Sequence, residues 1–165
     1  MSLHHVGDEV GLLRLLLNLL NPHGLIALAE IAEPMRVLPD TLDVGRPGLA
    51  ERLHEAGEKW FASMREGLPG AVPSTDLPSM VTAAGFEALD SRVVRESFDA
   101  PLSEHVRQMV LGHLRRTRRH LEELLDHDDL EAIDVLTDTD DERAVIHRSD
   151  VFVEASRKIV IARPT

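Results

Sequence analysis

Cysteine and tyrosine are missing from this chain, and one tryptophan and four phenylalanines are its whole aromatic complement. Without a thiol, disulfides, thiolate catalysis and cysteine metal sites are excluded. Lysine is scarce, with two residues against sixteen arginines, which points to a GC-rich genome and says nothing of mechanism. No apolar run approaches the ~20 residues of a membrane span, and no basic-then-apolar leader opens the chain, so the expected compartment is the cytoplasm. Positive charge is in deficit too. At a net charge of −11, neither nucleic acid nor an anionic membrane is an expected partner, because phosphates are repelled. Internal repeats, low-complexity tracts and Ser/Gly linkers are absent, and 165 residues fit one soluble α/β domain with a real core.

What is present is organised around Met1 to Ile31. Asp8 is placed to cap a helix, since its short carboxylate accepts from the first free backbone N–H groups. Leu12, Leu13, Leu16, Leu17 and Leu20 form an apolar stripe at helical spacing. Asn21-Pro22-His23-Gly24 stops the helix, because proline cannot continue it. Leu25 to Leu28 is then expected to be a short strand covered on both faces. With a strand ending at Val6, this makes a strand–helix–strand unit and implies a parallel sheet.

From Ile31 to Pro47 the prolines and glycines predict a loop. A helix is expected over Leu49 to Met64, with Leu49, Leu53, Ala56, Trp60 and Met64 on one face, ended by Gly67-Leu68-Pro69-Gly70 and Pro73. Asp76 caps a short helix with Leu77, Met80, Val81 and Ala84 inward, stopped by Gly85. Phe86 to Phe98 is a strand. Ser103 introduces a long helix carrying Val106, Val110, Leu114, Thr117, Leu121 and Leu124, and Asp128 with Glu131 opens another. An acidic turn, Asp138 to Asp141, precedes a closing strand over Val151 to Ala162.

The run Leu3-His4-His5-Val6-Gly7-Asp8, the segment Leu20-Asn21-Pro22-His23-Gly24-Leu25 and the joint Leu77…Ala83-Ala84-Gly85-Phe86 closely resemble class I S-adenosylmethionine-dependent methyltransferases. In that family an L-H-H-V-x-D pattern closes the fourth strand, L-x-P-x-G-x-L leads into the fifth and L-x-x-A-G-F precedes the sixth. The resemblance spans nearly the whole chain but only the second half of the family's domain. It implies a truncated Rossmann-like sheet, residues 1–165, ordered fourth, fifth, last and sixth, with the last strand antiparallel. Residues 101–148 are then a helical lid insertion.

It also implies a site. His4 and His5 would border methyl transfer and act catalytically, with Leu3 and His4 against the cofactor. Glu30, Trp60 and Phe61 would line the substrate. Residue type alone favours packing or hydrogen-bonding histidines at a strand end and aromatics in the core, with Glu30 a solvated or paired carboxylate. A metal site on His4, His5, Asp8 and His23 is not expected, because adjacent strand residues point to opposite faces. Arg115, Arg116, Arg118 and Arg119 are expected to answer Glu122, Glu123 and Asp126 on a solvated helix face.

The family's Gly-rich loop is missing: none of the ten glycines forms G-x-G. The expected function is therefore the substrate-side half of a small-molecule methyltransferase, as a fragment, a split chain or a decayed relative. Its bared sheet face would be covered by a second copy or a partner chain. The alternative is a non-catalytic interaction module.

Overall fold

In the computed structural model, which describes residues 3–71 and 76–165, Asp8 caps the first helix as expected, accepting from the Gly11 N–H at 2.8 Å. The described residues form five α-helices: α1 Glu9–Leu17, α2 Leu49–Glu66, α3 Leu77–Ala83, α4 Glu104–His120 and α5 His127–Thr137. The three strands are β1 Ile26–Arg36, β2 Phe86–Phe98 and β3 Val153–Pro164, in the sheet order β1-β3-β2. The Phe152 N–H meets the Val37 carbonyl at one end of β3, and the Thr165 N–H meets that of Gly85 at the other. β3 is therefore antiparallel to both neighbours, as expected of the closing strand.

Four expectations are corrected. Leu3–His5 is one turn of 3-10 helix rather than the end of a strand. Its Val6 N–H closes back on the Leu3 carbonyl at 2.9 Å, so among the described residues no strand lies beside β1 there and no neighbouring strands pair in parallel. The expected loop after Ile31 begins as strand, since β1 continues to Arg36. Pro34 is tolerated because β1 is an edge strand, where a missing N–H removes no ladder bond. β1 is also covered on one face only: Ile26 and Leu28 pack on the core, whereas Ala27, Ala29 and Ile31 are exposed. Finally, α5 is capped by Asp126, which accepts from the Asp129 N–H at 3.0 Å, and not by Asp128. Met1, Ser2 and Pro73, which figured in the sequence expectations, lie outside the described residues.

Contacts divide the chain into two compact units. One comprises Met1–Glu33, Ala62–Arg95 and Ser156–Thr165; the other comprises Pro34–Phe61 and Glu96–Ala155. In the first, Leu13 of α1, Leu77, Met80 and Val81 of α3, and Phe86, Val160 and Ala162 of the sheet close one core. Gly85 joins α3 to β2 at a φ of 98°, a conformation that costs glycine little and other residues more.

In the second unit, Val110, Leu111 and Leu114 of α4 pack with Ala132, Ile133 and Leu136 of α5 and with Leu49 and Leu53 of α2. Arg118 bridges the helix pair, 2.9 Å from Asp134, and holds Glu122 one turn along at 3.3 Å. Asp129 is buried and accepts two hydrogen bonds of 2.7 Å from Arg52. Arg46 adds a contact at 3.2 Å. These arginines, Arg52 first, hold the Asp129 carboxyl below its usual range.

Burial on α4, with Arg116 beside it, pushes the His113 imidazole down to about 4 from 6.5. The folded protein thus resists protonation there while the unfolded chain accepts a proton below pH 6.5. His113 therefore contributes stability that is present above pH 6.5 and lost progressively toward pH 4. The melting temperature should fall across that window, and His113→Gln should flatten the slope. An unchanged slope in the variant would assign the acid lability to the carboxylates instead.

Candidate functional site

β1 presents Glu30 on the same face as Ile26 and Leu28, since alternate strand residues share a face. Its carboxylate reaches the turn that precedes α1. One oxygen accepts from the Leu3 N–H at 2.5 Å, and the other lies 2.5 Å from His4 Nδ1. Both side chains are largely buried, 12% and 13% exposed, so little water competes for the contact. An ionised carboxylate only accepts. His4 Nδ1 therefore donates to it, and in a neutral ring this tautomer puts the lone pair on Nε2. That is the orientation in which a histidine removes a proton from a bound group.

The turn is held from below by α2. Arg65 Nη1 donates to the His4 carbonyl at 3.1 Å and forms an ion pair with Glu9 in the first turn of α1. Glu9 and Arg65 are 1% and 8% exposed. Glu9 also sits where the helix macrodipole favours negative charge. One guanidinium thus ties α1, the end of α2 and the His4 backbone together within the first unit. The exposed His5 ring lies 4.3 Å from that of His4, tilted by 52°.

Of the residues singled out from the sequence, Leu3, His4, His5 and Glu30 come together. Trp60 and Phe61 belong to the second unit. There Trp60 of α2 stacks on His120 at the end of α4, with ring centroids 4.5 Å apart and planes within 2°. Phe61 is half-buried. Glu9, Arg65 and His120 were not anticipated. Glu9 resembled any first-turn acid, and Arg65 stands one place past the apolar stripe of α2, so neither carries a local signal. His23 is exposed and Asp8 is used as a cap. Among the described residues, no group of three or more histidines and carboxylates is placed to hold a metal ion.

The arrangement fixes the orientation of the His4 ring through Glu30. The Leu3 N–H, which the resemblance set against the cofactor, is committed to Glu30. No helix among the described residues is long and apolar enough to cross a membrane. No protein-family model matches the chain, and no curated protein matches it either.

Proposed function

We propose that the first unit is the substrate side of a small-molecule methyltransferase, with His4 as the base and Glu30 as the group that orients it. The observation that carries this is the Glu30 carboxylate spanning the Leu3 N–H and His4 Nδ1. Two further features support it: the antiparallel closing strand between β1 and β2, and the resemblance of the Leu3–Asp8 and Leu20–Leu25 segments to class I methyltransferases. S-adenosylmethionine supplies an electrophilic methyl group in that chemistry. The part assigned to this chain is to position the acceptor and take its proton at Nε2. Positioning accounts for most of the rate and the base for a further 10²–10⁴-fold.

Two measurements test this. Calorimetric titration of the chain with S-adenosylmethionine should give no one-site binding in the micromolar range. Nuclear magnetic resonance with a set of small phenols, carboxylic acids and amines should show one class shifting the His4 ring resonances. His4→Gln should abolish binding of that class, read on the ligand's own resonances, without lowering the melting temperature by more than a few degrees. Micromolar binding of the donor by this chain alone would overturn the division of labour. Acceptors that leave His4 unmoved would overturn the site.

A second reading, an interaction module that moves no methyl group, draws on the uncovered face of β1, where Ala27, Ala29 and Ile31 are exposed.

A further inference from the structure

β3 lies between the other two strands, so β1 and β2 each keep one edge that pairs with no strand among the described residues. Such an edge offers a row of backbone N–H and C=O groups to any extended chain that meets it. The two edges differ. β1 carries Pro34, which removes a donor and blunts the row. β2 runs for 13 residues, Phe86 to Phe98, without proline or glycine, and Ser91, Arg92 and Val93 at its middle are all exposed.

The order of residues along β2 says what fits there. Laid antiparallel on itself about Ser91, the strand sets Asp90 opposite Arg92 of a second copy, and Arg92 opposite its Asp90. Leu89 then meets Val93, Ala88 meets Val94, and Ser91 meets Ser91 on the axis. Directly opposite residues share a face and interact, apolar with apolar and acid with base. The neighbouring registers fail. Sliding by two residues, the step that keeps the ladder in phase, sets Asp90 against Asp90 in one direction and Arg92 against Arg92 in the other. Within one strand Asp90 and Arg92 already lie 3.6 Å apart, both in reach of water. The second copy completes an alternating square of two acids and two bases without breaking that contact. Glu87 and Arg95, opposite one another in the same register, are held by Arg163 and Glu33 and are not needed for it. Edge pairing covers neither face of the sheet, so the exposed Arg157 of β3 stays in water.

We propose that the free edge of β2 is a self-complementary dimer interface, where a second copy of the chain pairs antiparallel with its register centred on Ser91 and the sheet continues across the two-fold axis. This rests on neither the methyl-transfer reading nor the His4 site.

Light scattering on the eluting protein tests it, with a sedimentation titration for the dissociation constant. The chain should run at twice its 18.3 kDa mass at about 100 μM, above the micromolar constants of weak interfaces. Asp90→Arg should weaken association by about tenfold or more, since like charges then face each other at two places, and adding Arg92→Asp should restore it. The chain has no cysteine, so a single thiol reads the register directly. Ser91→Cys sets two thiols opposite one another, within the Cα separation of about 4.4–6.8 Å that a disulfide spans. Mild oxidation with copper phenanthroline should link most of that variant into covalent dimers. Ser97→Cys, on the same strand but far from its counterpart in this register, should stay unlinked. Circular dichroism melts establish that each variant is folded, and if Asp90→Arg fails to fold, the two cysteine variants decide. A monomer at 100 μM overturns the proposal, as does a dimer that Ser97→Cys links as readily as Ser91→Cys.

Discussion

Arg65→Met should destabilise the protein by about 3–5 kcal/mol, the cost of stripping one partner from a buried ion pair. The size follows from burial. Glu9 is 1% exposed, so its carboxylate cannot recover the lost cation by turning to water. The His4 carbonyl loses its donor in the same step. Exposed pairs such as Arg36–Asp40, at 52% and 86% exposure, contribute about 0–1 kcal/mol by comparison. The double variant Glu9→Leu/Arg65→Met should recover most of the loss, since removing both charges leaves no buried charge uncompensated. Urea unfolding of the two variants measures this. A single variant within 1 kcal/mol of the parent would show that the pair is solvated.

Truncating either core should cost a similar amount. Phe86→Ala should lose about 3–5 kcal/mol and Ile133→Ala about 2–5 kcal/mol. Phe86 is 1% exposed in the core of the first unit and Ile133 fully buried in that of the second. The pair also asks whether the units melt together. Trp60, the only tryptophan, lies in the second unit, so its fluorescence reports that unit while far-ultraviolet dichroism reports both. Each of the three strands supplies residues to both units. The two signals should therefore stay coincident in Phe86→Ala, as cooperative unfolding requires. A dichroism loss preceding the Trp60 change would show independent melting.

Local chemistry was legible from the residues. Asp8 and Asp76 cap helices because a short carboxylate just before a helix accepts from the free N–H groups of its first turn. Leu77, Met80, Val81 and Ala84 face the core because 3.6-residue periodicity leaves them one side to share. Phe86–Phe98 is strand at both predicted limits. The candidate site was half visible: His4 and Glu30 stood out through their neighbours, but nothing in the order of residues said that they touch.

Tertiary structure decided the rest. The Leu3–His5 segment is apolar and histidine-rich enough for a strand, yet it becomes a helical turn. The Glu30 side chain takes the Leu3 N–H that a neighbouring strand would otherwise have bonded. β1 runs past Pro34 because β3 pairs along it, a long-range bond no local proline signal reports. Glu9 and Arg65, 56 places apart by their numbers, are joined only when α1 and the end of α2 pack. Periodicity and capping act within one turn or strand. Ion pairs, strand partners and the choice of covered face depend on which distant segments the fold brings near.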